Sequence, residues 1–300
     1  MNAEVERRRI SARNATCEFD ADASPVVWVP SHARLTVEAR DAYDGHCDDL
    51  DVDAFARRRT PGRMNPCTGP IGVRDAASGD TLRVAIEAIR LSPRGYVAAL
   101  PGTGILGEQP VDPGIEPFDV EGDDVLFAGR VTLPARPMVG TIGVAPAAGS
   151  IMTLSLGDHG GNLDFNEIAA GTTVYLPVRA PGALFGIGDV HATMGDAEAH
   201  SGVNITAEID VTLDVLRGES LEWPWFETAT HVMTVGVADD LTEALRLATA
   251  AMEERLVRDL GVTPTQARML SGAAVDLRLG QAGGYGVPVS AYARFPKSAL

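Results

Sequence analysis

Three cysteines, Cys17, Cys47 and Cys67, are too few and too far apart for a disulfide framework. No CxxC pair occurs, and incidental thiols in a reduced, cytoplasmic protein are the expectation. Positive charge is also short: 25 Lys and Arg stand against 41 Asp and Glu, a net charge of −16. That balance argues against a nucleic-acid backbone or an anionic membrane as partner and more easily admits a neutral or cationic small molecule. Arg7-Arg8-Arg9 are followed by no apolar core, so residues 1–13 do not read as a secretory signal. The longest uncharged run, Pro137 to Gly157, is broken by two prolines and four glycines and reads as strands and turns rather than a membrane span. There is no G-x-S-x-G, no serine-rich glycine loop and no cysteine in a recognisable nucleophile setting, which weakens any covalent hydrolase mechanism. Repeats, low-complexity tracts and flexible linkers are absent as well.

What is present is a turn-rich chain with 45% hydrophobic residues, 32 glycines and 19 prolines. Short alternating stretches predict strands: Leu35–Asp41, Leu82–Leu91, Tyr96–Leu100, Val125–Leu133, Ile142–Pro146, Thr172–Val178, Ala183–Gly188 and Ala274–Leu279. The cleanest alternation is Val203–Val215, with Val203, Ile205, Ala207, Ile209, Val211, Leu213 and Val215 on one face and a polar, wet or site-facing row on the other. One long helix is predicted from Asp240, as N-cap with Glu243 at its third position, to Gly261; a shorter one runs from Thr263-Pro264 to about Leu270. Trp223 and Trp225 around Pro224 read as packing rather than a carbohydrate platform. The expected fold is mainly β, a jelly-roll-like β-sandwich with a C-terminal α+β addition. It is read as one unit over 1–300, with a soft division at 1–238 and 239–300.

Two motifs are set aside. Gly102-Thr-Gly-Ile-Leu-Gly107 fits a dinucleotide-binding G-x-G-x-x-G, but Pro110, Pro113 and Pro117 forbid the helix that would hold the pyrophosphate. Asp48, Asp49, Asp51 and Asp53 lack the glycine and distal glutamate of a calcium loop and read as a solvated acidic loop.

The densest polar stretches lie among glycines: Gly157-Asp-His-Gly-Gly-Asn-Leu-Asp164, Gly188-Asp-Val-His191 and Gly195-Asp-Ala-Glu198. In extended chain, residues i and i+2 share a face. This pairs Asn162 with Asp164, Asp189 with His191, and Asp196 with Glu198, with His159 just upstream. Carboxylates and imidazoles on one face can ligate a divalent ion or act as general acid and base. The mixed Asp/Glu/His set points to Zn²⁺ or a similar transition ion, with Ca²⁺, which prefers oxygen alone, as the alternative. The plain reading stays open beside it: aspartates after glycine are common turn residues, and a histidine near a turn often satisfies backbone groups. Asp41, ending the apolar row Leu35, Val37, Ala39, is either a strand-end turn former or a group pointing into the site.

The chain resembles the acetamidase/formamidase family. The resemblance rests on Gly69-Pro-Ile-Gly-Val, Gly79-Asp-Thr-Leu, Pro101-Gly-Thr-Gly-Ile-Leu, Pro137-Met-Val-Gly-Thr-Ile-Gly-Val-Ala-Pro146, His159-Gly-Gly-Asn-Leu-Asp164, Pro181-Gly-Ala-Leu-Phe185, Gly188-Asp-Val-His-Ala192, Gly195-Asp-Ala-Glu198 and Val275-Asp-Leu-Arg, running in order from about residue 35 to the C-terminus. It implies a metal-dependent hydrolase of short linear amides, releasing a carboxylate and ammonia, on a jelly-roll-like sandwich that forms a homo-oligomer, a dimer or larger. Under it, Asp41, Asp164, Asp189 and His191 are the metal-ligand candidates. Glu198, with Asp196 beside it, is the candidate general base, and His159 and Asn162 would orient substrate or hold the oxyanion. The sequence departs from the family where Ala197 replaces a glycine and Thr193-Met194 replaces Ala-Gln. The first change leaves room for a non-catalytic binding module. A larger amide or a carbamate as substrate, with Met194 and Phe185 reshaping the pocket, is the other alternative.

Overall fold

The computed structural model describes residues 7–58, 60–282 and 288–300. Met1 to Glu6, the first part of the stretch read for a signal, lie outside the described residues. Nineteen strands among those described join one large, curled, mostly antiparallel sheet, and a separate pair is formed by Glu18–Asp20 and Ser150–Met152. The mainly β architecture with a late α+β part is the one that the turn spacing predicts. No helix among the described residues is long and apolar enough to cross a membrane.

The sheet is organised around Asn204–Leu216, which pairs with Ala33–Ala39 on one side and Thr81–Ala99 on the other. Ile205, Ile209, Val211 and Leu213 are fully buried in the main core, as their period of two requires. On the reverse face Asn204 lines the site cavity, Thr206 is exposed, and the charged members are paired. Arg90 reaches Asp210 and Glu208, Arg83 reaches Asp214, and the Thr36 hydroxyl donates to Asp210.

Two strand boundaries differ from expectation. Thr81–Ala99 is one strand of 19 residues rather than two. Its register shifts where Ser92–Arg94 pass Thr206, between the pairs Gly95–Ile205 and Leu91–Ala207, and this bulge accommodates Pro93, which has no N–H to donate. The 125–133 stretch is a hairpin of Asp124–Phe127 and Val131–Pro134. Its three-residue loop is Ala128–Arg130, in which Ala128 and Gly129 have φ of 49° and 62° and the Arg130 N–H donates to the Phe127 carbonyl.

The helix Leu241–Leu260 starts at Asp240, whose carboxylate accepts from the Glu243 N–H, and ends at Gly261 in the left-handed conformation. Ala244, Ala248, Met252 and Leu256 form its buried stripe. It lies on the strands His231–Ala238 and Val289–Pro296, close enough that a Cβ on Gly236 would fall 2.0 Å from the Ala244 carbonyl oxygen. Trp225 stacks on Tyr175 at 3.8 Å with the Arg255 guanidinium 3.7 Å above it, so this tryptophan is packing, as expected. The second helix, Pro264–Ala274, carries a full capping box between Thr263 and Gln266 and runs one turn further than predicted. The 102–107 glycine segment is a run of turns with no helix behind it. The acidic stretch is exposed, but Asp51 caps a short helix, Val52–Arg58, that its charge pattern concealed. This helix plants Phe55 in a small apolar cluster with Tyr43, Cys47, Met64 and Leu100.

Candidate active site

Met138–Gly143 lies between the two strands that carry the polar motifs. It pairs with Gly160–Asn162 on one side and Phe185–His191 on the other, so Thr141 sits between Asn162 and Gly188. Gly140 is the residue that lets the motifs meet. A Cβ there would stand 2.5 Å from Asp164 Oδ1 and 2.7 Å from Asp189 Oδ2. Gly202 does the same for the histidine: its Cβ would lie 2.4 Å from His191 Nδ1. Asp164 and Asp189 take φ of 52° and 54°, and Asn65 and Glu198 take 52° and 39°. Left-handed backbone at four non-glycine residues is strain concentrated at one place, the pattern of a functional site.

Asp164, Asp189 and His191 form one buried group whose ligand atoms lie within 4.8 Å of one another. His191 Nε2 is 3.5 Å from Asp164 Oδ1 and 3.6 Å from Asp189 Oδ1. These three atoms have no hydrogen-bond partner among the described residues. The other oxygen of each carboxylate is fully engaged. Asp164 Oδ2 accepts from Asn162 Nδ2 at 2.7 Å, while Asp189 Oδ2 accepts from Asn65 Nδ2 at 2.7 Å and from the Thr141 hydroxyl at 3.1 Å. Asn162 Oδ1 in turn accepts from Asn65 and Thr141. One oxygen of each carboxylate is held by neighbours and one is left free toward a common point, as outer partners orient metal ligands, while both ring nitrogens of His191 lack a partner among the described residues. Unpartnered buried polar atoms are costly, and a bound divalent ion would satisfy all three at once. The group can hold a metal ion.

Electrostatics at the site follow from burial. Glu198 is pushed well above its usual range, first by burial and then by Asp164, with His191 opposing. Asp189 rises to about 6 because burial outweighs the pull of His191. Burial draws His191 down, but Asp189, Asp164 and Glu198 together carry it up to about 9. Glu198 Oε2 accepts from Gln281 Nε2 at 3.0 Å. Asp189, Asn162 and Glu198 line a cavity together with Gln281 and Asn204, and its lining also includes the clustered Tyr43, Phe55, Met64 and Leu100.

Several expected site residues lie elsewhere. Asp41 is buried at a turn, where it accepts from the Tyr43 and Gly45 N–H groups; it is a turn former and stands outside the ligand group. Asp196 points away from Glu198, held by Arg278 and Asn166. The i,i+2 pairing fails there because Asp196–Glu198 is a tight turn with Ala197 and Glu198 left-handed, not extended chain. His159 is buried edge-on against Phe19 at 5.5 Å, its imidazole is held neutral by burial down to about 4, and it does not line the cavity. Asn162 does line it, and one N–H of its amide donates to Asp164 Oδ2, so it positions a candidate metal ligand. Phe185 belongs to the main core, and neither it nor Met194 lines the cavity; Phe55, Met64 and Leu100 shape the wall. Asn65 and Gln281 were not anticipated, whereas Asn204 stands on the polar row read as wet or site-facing. The only sequence signal for Asn65 is its place in Asn65-Pro-Cys, just ahead of the Cys67–Val73 strand.

The profile of the Acetamidase/Formamidase family matches residues 5–154 and 147–290. The crystal structure of a recombinant predicted acetamidase/formamidase from Thermoanaerobacter tengcongensis aligns with a TM-score of 0.90 at 32% identity, covering 98% of this chain and 97% of that one. The acetamidase from Bacillus halodurans aligns with a TM-score of 0.88 at 33% identity, covering 97% and 98%. A predicted formamidase of Schizosaccharomyces pombe (strain 972) is 34% identical over 62 residues, 20% of this chain; the match spans 15% of that relative's length. With a family profile along nearly its whole length and a shared fold to match, the chain belongs to the acetamidase/formamidase family.

Proposed function

We propose that this protein hydrolyses short linear amides to carboxylate and ammonia, with a divalent transition ion held by Asp164 Oδ1, Asp189 Oδ1 and His191 Nε2. The observation that carries the proposal is the convergence of those three unpartnered atoms close to the buried Glu198, with Asp189 and Glu198 lining the cavity. Two carboxylates and one imidazole favour Zn²⁺ or a similar ion over Ca²⁺. Such an ion, when bound, polarises a carbonyl and makes water a nucleophile at neutral pH. The protein's own groups do the rest. Asn65, Thr141 and Asn162 fix the carboxylates. Glu198 takes the proton of the attacking water as the C–O bond forms, then delivers a proton to the nitrogen as the C–N bond breaks, so that ammonia leaves. The apolar wall of Phe55, Met64 and Leu100 excludes water and supports an amide whose acyl group is larger than formyl. A homo-oligomer acting on an uncharged substrate belongs to the same proposal.

A non-catalytic binding module finds no support at Ala197. This residue has φ of 72°, so alanine adopts the left-handed turn that glycine would favour, at a cost of about 1–2 kcal/mol. The test is an ammonia-release assay over formamide, acetamide and propionamide with metal content measured on the same sample. Chelation is expected to remove the metal and the activity together, and Asp189→Ala or His191→Ala to prevent reloading. Full activity after complete metal removal would refute the metal role.

A further inference from the structure

Two residues that line the cavity carry a buried side-chain oxygen without a partner among the described residues: Asn204 Oδ1 and Gln281 Oε1. Both residues are 2% exposed. Their amide nitrogens are already engaged, which leaves the oxygen of each as the acceptor open to a ligand. Asn204 Nδ2 donates to the Ser201 hydroxyl at 2.9 Å and to the Gly202 carbonyl at 3.2 Å, and Gln281 Nε2 donates to Glu198 Oε2. The backbone anchors both. Asn204 pairs with His191 across the sheet. The segment carrying Gln281 is tied to the catalytic turn where the Ala282 N–H donates to the Ala197 carbonyl. A buried acceptor held open in this way favours a ligand that brings an N–H and disfavours one that does not.

We propose that Gln281 Oε1 and Asn204 Oδ1 accept the two N–H groups of an unsubstituted amide and so make this site selective for primary amides over N-alkyl amides and esters. The inference rests on the amide-hydrolase reading above and assigns it two specificity-determining residues. An N-methyl group leaves one of the two oxygens unpaired and collides with its side chain; an ester oxygen leaves both unpaired. Gln281 also sets the leaving nitrogen next to Glu198, the group that hands it a proton.

The test compares kcat/KM for acetamide, N-methylacetamide and methyl acetate in the wild type, Gln281→Met and Asn204→Leu, with folding checked by thermal melting. Gln281→Met also removes a hydrogen bond from Glu198 and is expected to slow every substrate, so the readout is the ratio between substrates. The wild type is expected to favour acetamide over both analogues. Each variant is expected to lower the acetamide to methyl acetate ratio by about tenfold to a hundredfold. If acetamide is hydrolysed and the ratio is unchanged in whichever variant folds, or if the wild type does not discriminate against N-methylacetamide, the two residues do not read the amide and the hydrolase proposal stands alone. If the wild type hydrolyses none of the three while loaded with metal, both proposals fall.

Discussion

Gly140 exerts its effect through the side chain it does not have. Both site carboxylates occupy the space where its Cβ would be. Gly140→Ala is expected to displace Asp164 and Asp189, lower metal content and turnover together, and destabilise the fold by about 1–3 kcal/mol, as overpacking does. Metal analysis and a melting curve on one preparation check this; a stable variant with full metal loading would show that the cradle is loose. The same scale explains how far residue spacing could be trusted. Asn162 with Asp164, and Asp189 with His191, do meet, although both aspartates are left-handed rather than extended. Asp196 and Glu198 have the same spacing and diverge, since nothing in Gly195-Asp-Ala-Glu198 announces a left-handed turn at Ala197 and Glu198. Asn65 and Gln281 were invisible for another reason. A neutral amide leaves no charge pattern, and its role comes from distant segments that only the fold brings together.

At the scale of elements, Asn204–Leu216 shows what an alternating pattern does and does not say. Its apolar row was legible because burial acts on every second residue. The pairing of its charged row was not legible, because the partners, Arg90 and Arg83, come from the neighbouring strand. The hydrogen bonds from Arg90 pull Asp210 down to about 2 against the effect of burial, with Thr36 adding to the pull. A folded pKa below the unfolded one means stability that is fully present above about pH 4 and lost as pH falls through about 2. Asp210→Asn is therefore expected to lower the melting temperature at pH 7, by an amount on the order of 1 kcal/mol because Arg90 is half exposed. The gap from wild type should close toward pH 2; a gap that is constant with pH would place the effect in packing instead. The helices were legible from their caps and periodicity, whereas the short Val52–Arg58 helix was hidden in a stretch whose charge suggested a loop.

For the whole molecule, the net charge of −16 bears on what can reach the cavity. An uncharged amide gains nothing from long-range steering. Its kcat/KM is expected to stay flat as salt rises from about 0.01 M to about 1 M. A steep decline, measured by initial rates at constant pH, would identify a cationic substrate instead. Fold class was readable because turn signals and alternation are local. The closure of the sheet was not, because pairs such as His231–Ala238 with Val289–Pro296 join distant parts of the chain.

The tie between Ala282 and Ala197, with Gln281 on Glu198, carries a consequence for the order of synthesis. A chain emerging from the ribosome N-terminus first presents Asp164, Asp189 and His191 well before Gln281. The residues that can hold an ion, and Asn204, are thus made while Gln281 is still to come, so the proposed pair of amide-reading oxygens is completed only after the candidate metal group is complete in sequence.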